Sequence, residues 1–133
     1  MKKATILIMA ILAIALVASC SPEQGVSKAE ISIPSWAWGD WTKSGATFHI
    51  DKTNISMGGS NLMMPYNMGN ANGSLKISQS ESMDGTTKVY VLTGVDKNKN
   101  VMSNTIKLTD AGVLSIYTNV VGSITSFEGY TKN

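Results

Sequence analysis

From Trp41 to the C-terminus, short segments rich in Thr, Val, Ile and Tyr alternate with clusters of Gly, Asn and Asp. In residues 47–51 the apolar side chains of Phe48 and Ile50 alternate with polar ones, which is the period-two pattern of a half-buried strand. No stretch of this region keeps the apolar period of an amphipathic helix. The pattern therefore predicts an all-β domain.

Turn residues divide this region into about eight short segments with strand patterning. Asp110-Ala111-Gly112 is expected to join two of them as a tight hairpin, since glycine tolerates the positive φ that such turns need. The weakest segment contains Pro65, which cannot donate to a ladder, so it is expected at a sheet edge or within a loop. Short strands with hairpin-length gaps predict a small antiparallel up-and-down barrel, with a β-sandwich as the alternative. The expected strands are 47–51, 55–57, 62–66, 74–80, 86–93, 104–109, 113–118 and 123–130.

The N-terminus has the features of an export signal. Two lysines are followed by the uncharged apolar run 4–17, and the last residues before the only cysteine are small. Val17-Ala18-Ser19-Cys20 resembles the lipobox of bacterial lipoproteins, which implies removal of residues 1–19 and acylation of the Cys20 thiol. Each buried methylene of such a chain contributes about 0.8 kcal/mol to membrane binding. Because Ser21 is not an aspartate, the resemblance favours the outer membrane or the cell surface over the inner membrane.

Three regions follow from this reading. Residues 1–19 are the signal peptide, residues 20–33 a lipidated flexible tether, and residues 34–133 the β domain. The mature chain of about 114 residues is long enough for one domain with a modest core. We expect it to be a monomer attached to the membrane through its N-terminal lipid.

Composition limits the chemistry of the mature protein. Lys2 and Lys3 lie in the leader, so the other 9 of the 11 basic residues, all lysines, balance 9 acidic ones. A neutral chain without arginine does not suit nucleic-acid binding. His49 is the only histidine, and no metalloprotease, nucleophile-elbow or phosphate-loop motif occurs. The sequence therefore predicts a protein that is not an enzyme and has no catalytic residues, metal or cofactor.

Gly39-Asp40-Trp41 resembles the Gly-x-Trp opening of lipocalins and related calycin barrels, and also the start of small spirochaetal-type lipoproteins. The resemblance implies structural roles for Gly39 and Trp41, with the tryptophan packed across the closed end of the barrel. In calycins a basic residue near the last strand commonly stacks on this ring, and no arginine is present here to do so. The resemblance also implies binding of a small apolar ligand inside the barrel.

A second set of residues is a candidate binding surface because large aromatic rings and methionines lie close together in sequence. Exposed rings can form a platform for a partner, whereas one buried cluster would explain the same residues. Methionine is also an adaptable core filler. The alternatives to an apolar ligand are a host or envelope protein bound through loops and the tryptophan segment, and a protease-inhibitor-like structural module. The candidate residues are Trp36, Trp38, Met63, Met64, Tyr66 and Met68.

Overall fold

The computed structural model describes residues 30–133, which form a single curled antiparallel sheet with the shape of a half-barrel. A short 3₁₀ turn, Ser35–Ala37, precedes the sheet, and one helix, α1 (Met64–Asn72), interrupts it. The all-β prediction is confirmed. The strands are β1 Gly39–Lys43, β2 Ala46–Ile50, β3 Ile55–Met57, β4 Ser60–Asn61, β5 Leu75–Asp84, β6 Thr87–Asp96, β7 Val101–Leu108, β8 Val113–Val120 and β9 Ser123–Lys132.

The strand order is β4-β3-β2-β1-β9-β8-β7-β6-β5. Strands that are consecutive in sequence lie side by side, except for β4 and β5, which are the two edges of the sheet. The first strand, β1, pairs with the last, β9. This is the order of an up-and-down barrel that is open between β4 and β5, where α1 makes the connection. The predicted up-and-down arrangement is confirmed, and a single curled sheet replaces the two stacked sheets of a sandwich.

Residues 30–33 lie across the opening of the half-barrel. On one side, the Ile33 N–H donates to the Lys52 carbonyl, 2.8 Å away in the β2–β3 turn. On the other side, the Gln79 amide of β5 donates to the Glu30 carbonyl and accepts from the Ser32 N–H, at 2.6 and 3.1 Å. Ile31 and Ile33 are buried in the core. The folded part therefore includes residues 31–33, which the sequence analysis assigned to the tether.

The core consists of the inward positions of the strands together with side chains from the two segments that cover the opening. Phe48 of β2 makes edge-to-face contacts with Phe127 and Tyr130 of β9, at centroid distances of 5.0 and 4.9 Å. Met63 and Tyr66 enter the core from the helix side. Each large apolar side chain buried in this way contributes about 1.5–3 kcal/mol. Side chains of the strands, of residues 31–33 and of the helix region thus form one buried core.

The predicted strand 62–66 is wrong, because the helix α1 begins at Met64. Pro65 occupies the first turn of the helix, where a missing N–H costs nothing. The buried residues of the helix region are Met63, Tyr66 and Gly69, which are three positions apart and so lie on one face. A Cβ at Gly69 would clash with the Leu75 side chain, so the glycine lets α1 close onto β5.

Candidate functional site

The Gly-x-Trp segment forms a structural unit with the last strand. Trp41 is 2% exposed, and its indole N–H donates to the Ala37 carbonyl at 2.8 Å. Lys132 of β9 places its Nζ 5.5 Å from the centre of the Trp41 ring. Gly39 has φ +124°, and a Cβ there would lie 2.7 Å from Lys132 Cε. Glycine at position 39 therefore makes room for the lysine, which takes the place of the arginine considered from the sequence.

The other two tryptophans tie the entry segment to the domain. The Trp36 indole N–H donates to Glu81 on β5 at 2.7 Å, and the Trp38 indole N–H donates to the Ile33 carbonyl at 2.8 Å. Trp36 is half-buried against the core, while Trp38 is 39% exposed. Because both indole N–H groups donate to acceptors within the domain, these rings stabilise the fold. Only the exposed parts of the rings are accessible to a partner.

The methionine and tyrosine candidates separate onto opposite sides of α1. Met63 and Tyr66 are buried, so assigning them to a binding surface is wrong. Met64 and Met68, one helical turn apart, are 53% and 60% exposed. The helical period accounts for this division, because residues 63 and 66 share the inward face. Cys20, the predicted acylation site, lies outside the described residues.

A few buried polar atoms lack a hydrogen-bond partner among residues 30–133. They are Tyr66 Oη, Asn104 Oδ1 and Thr118 Oγ1. Asn104 and Thr118 lie opposite each other on β7 and β8, and the Asn104 amide donates to the Leu62 carbonyl at 3.3 Å. Burial raises the pKa of Tyr66, so its hydroxyl stays protonated. At these three atoms, hydrogen-bonding capacity is left unused in the core.

A groove of about 720 Å³ lies at one end of the half-barrel, between the α1–β5 connection and the β6–β7 turn. We call this end the mouth; it also carries the β8–β9 turn, residues 121–122. Leu75, Val95 and Met102 are the apolar residues around the groove: Leu75 and Met102 lie on the inner face of the sheet and Val95 lies on the outer face beside Lys76. Lys97 also borders the groove. Its volume is typical of sites for small molecules, which span about 300–1,000 Å³. None of the groove residues was among the binding candidates taken from the sequence, although Pro65, which borders the groove, was expected at a sheet edge or in a loop.

The charges at the groove are unbalanced towards positive. The Asp96 carboxylate accepts hydrogen bonds from the Asn100 side chain and from the N–H groups of Asn100 and Asn98, at 2.8–3.0 Å. These bonds, the Asn100 side chain first, hold the pKa of Asp96 below its ordinary value. Within residues 30–133, neither Lys76 nor Lys97 has a carboxylate at ion-pair distance. The groove therefore combines an apolar lining with two ammonium groups.

One other group of residues has the composition of a catalytic triad. Asp40, His49 and Ser56 lie opposite one another on β1, β2 and β3, and His49 Nδ1 is 2.6 Å from Asp40 Oδ1. The Ser56 hydroxyl donates to the backbone carbonyl of His49, at 3.4 Å, and not to the imidazole. His49 and Asp40 are more than half exposed. The geometry is that of a hydrogen-bonded surface pair with a neighbouring serine.

Comparison of the chain with protein-family models, with curated proteins and with solved structures finds no match. In the part of the chain that the structure describes, no group of three or more His, Cys, Asp or Glu side chains is placed to share a metal ion. No helix within residues 30–133 has the length and apolarity needed to cross a membrane.

Proposed function

We propose that this protein is a lipid-anchored binding module of the bacterial cell envelope, without enzymatic activity, that takes a small amphipathic molecule in the groove at its mouth. The ligand class has an apolar body and an anionic group. The observation that carries the proposal is the groove of about 720 Å³, in which Leu75, Val95 and Met102 lie beside Lys76 and Lys97. Apolar walls supply the affinity in such sites, and a few polar groups fix the orientation of the ligand.

The groove is a better candidate than the barrel interior for this ligand. Ile33, Met63 and Tyr66 are buried in the core that the curled sheet encloses, which is the region where a calycin would hold its ligand. The contact between Trp41 and Lys132 supports a calycin-like organisation of the closed end, because it unites the Gly-x-Trp tryptophan with a basic residue of the last strand. A binding site at the open end of such a barrel is consistent with that organisation.

The envelope location rests on the leader. The run 4–17 followed by Val17-Ala18-Ser19-Cys20 supports export and acylation at Cys20. Acylation attaches the folded domain to the outer membrane or cell surface through the residues between Cys20 and Glu30.

The test is calorimetric titration of the protein with dodecanoate and with dodecanol, both below the concentrations at which they aggregate. The two ligands share the apolar chain and differ in charge. Dodecanoate should bind about three- to tenfold more tightly, since exposed ion pairs contribute about 0.2–1 kcal/mol each. Lys97→Gln should reduce this preference, and Lys88→Gln on β6 is the control with the same change of charge away from the groove.

The variant Met102→Glu places a carboxylate in the apolar lining and should abolish binding of both compounds. Met83→Glu is the matched control, because Met83 is 60% exposed near the far end of β5. Binding that survives Met102→Glu would reject the groove as the site. Failure of both compounds to bind the unaltered protein would favour the alternative role, contact with an envelope or host protein.

A further inference from the structure

Exposed apolar side chains concentrate at the mouth. Four of the eight large apolar residues that are exposed in residues 30–133 lie in and beside the β8–β9 turn. Val121 is joined to the start of β7 by its N–H, which donates to the Val101 carbonyl at 3.1 Å. We call this group the valine tip: Val101, Val120, Val121 and Ile124, which are 48%, 45%, 64% and 68% exposed.

The backbone at the valine tip is unfavourable for the residue it carries. Val121 and Gly122 form a two-residue hairpin loop between the paired Val120 and Ser123, with φ values of +50° and +87°. Such loops favour Asn-Gly, and a β-branched residue at positive φ is a genuine outlier. The β1–β2 loop, Ser44-Gly45, has nearly the same angles, +50° and +85°, and carries a polar residue. Position 121 thus carries an exposed valine although both solvation and backbone geometry disfavour valine there.

Three lysines lie at the same end of the half-barrel as the valine tip, on the β7 side of it. The adjacent β6–β7 turn exposes Lys97 and Lys99, and Lys76 lies at the same end on β5. The carboxylate in that turn, Asp96, is held by hydrogen bonds within the turn. The turns at the opposite end carry charges of both signs, with Asp84 and Lys88 on either side of the β5–β6 turn and Asp110 in the β7–β8 turn. An apolar tip bordered by lysines is complementary to an anionic bilayer, in which apolar groups enter the interface and lysines meet phosphates.

We propose that the valine tip inserts into the interface of an anionic lipid bilayer, so that the mouth of the half-barrel faces the membrane. This contact is separate from the acyl anchor at Cys20, and it does not depend on the ligand proposed for the groove. Strain is common at functional sites, and here the valine at positive φ is, with Ile124, one of the two most exposed side chains of the contact.

The test is hydrogen exchange of the full chain, read by mass spectrometry, on phosphatidylcholine vesicles with and without phosphatidylglycerol. Exchange of residues 119–124 should slow on the anionic vesicles relative to the neutral ones. Exchange of residues 109–112, at the opposite end, should be the same on both. Equal exchange of residues 119–124 on both vesicle types would overturn the proposal.

The variant Val121→Asn separates contact from folding. Asn-Gly suits the loop, so this variant should unfold at a higher urea concentration than the original protein, while the slowing on anionic vesicles is lost. Ser44→Asn is the matched control, since it creates the same Asn-Gly loop without removing an apolar side chain and should keep the slowing. Slowing that persists in Val121→Asn would also overturn the proposal. Both outcomes are independent of whether dodecanoate binds the groove.

Discussion

Truncation of the three tryptophans should separate the ring that organises the closed end from the rings that tie down the entry segment. Trp41→Ala removes a side chain that is 2% exposed, its hydrogen bond to Ala37 and its contact with Lys132. Trp38→Ala removes a ring that is 39% exposed and one hydrogen bond to the backbone. Trp36→Ala removes a half-buried ring bonded to an exposed carboxylate.

The magnitudes follow from these contacts. Removing a buried aromatic costs about 3–5 kcal/mol, and an exposed cation–π contact adds about 0.5–1 kcal/mol. A net hydrogen bond contributes about 1 kcal/mol, so Trp38→Ala and Trp36→Ala should each cost about 1–2 kcal/mol with the partial burial included. With a total stability of about 5–15 kcal/mol expected for a domain, Trp41→Ala comes close to unfolding it.

Urea denaturation followed by circular dichroism measures the three losses. With a slope near 2 kcal/mol per molar urea, Trp41→Ala should lower the midpoint by about 2–3 M, and the other two variants by about 0.5–1 M. Trp41→Phe is a control that keeps most of the ring and should lose about half as much as the alanine variant. Equal losses at all three positions would refute the separation and indicate a single buried cluster.

Three further outcomes are expected. Cys20→Ser should release the protein from cell membranes after a high-salt wash; a variant that stays in the pellet would show that acylation is not the main anchor. Thr118→Val removes a buried hydroxyl that has no partner within residues 30–133, so stability should hold or rise by about 1 kcal/mol, whereas a clear loss would reveal a hidden partner such as water. Hydrogen bonds, first from the Thr53 N–H, lower the pKa of Asp51 below 3.8. Its stabilisation is therefore complete above pH 3.8 and is lost as the pH falls through the lowered value, so urea midpoints should fall less in acid for Asp51→Asn than for the original protein.

The strands could be predicted because their inward side chains are apolar and their turns contain glycine or aspartate. Phe48 and Ile50 show this alternation, and the pattern located β2 to within a residue. The end of β5 was missed, because residues 81–84 are exposed and, apart from Met83, polar, so they carry no period-two burial signal. The helix was missed because one position of its buried face is Gly69, whose role is close approach to Leu75.

The sites were harder to predict, because they join residues that are distant in sequence. Lys132 lies over Trp41 only because β9 pairs with β1, and sequence reasoning considered arginine alone for that position. The groove brings Leu75 to Val95 and Met102 at the end of an unpredicted helix. Burial of Met63 and Tyr66 could not be predicted, because it follows from the helical period of a segment that was expected to be a strand or a loop.

The most direct test of the proposed function is a nuclear magnetic resonance titration of the isotope-labelled protein with dodecanoate. Backbone amide shifts should change at Leu75, Lys76, Lys97 and Met102, while those of core residues such as Ile116 stay in place. Changes centred on Ile116 and its core neighbours would mean that the ligand enters the barrel interior. The absence of any change up to the aggregation limit of dodecanoate would contradict the account.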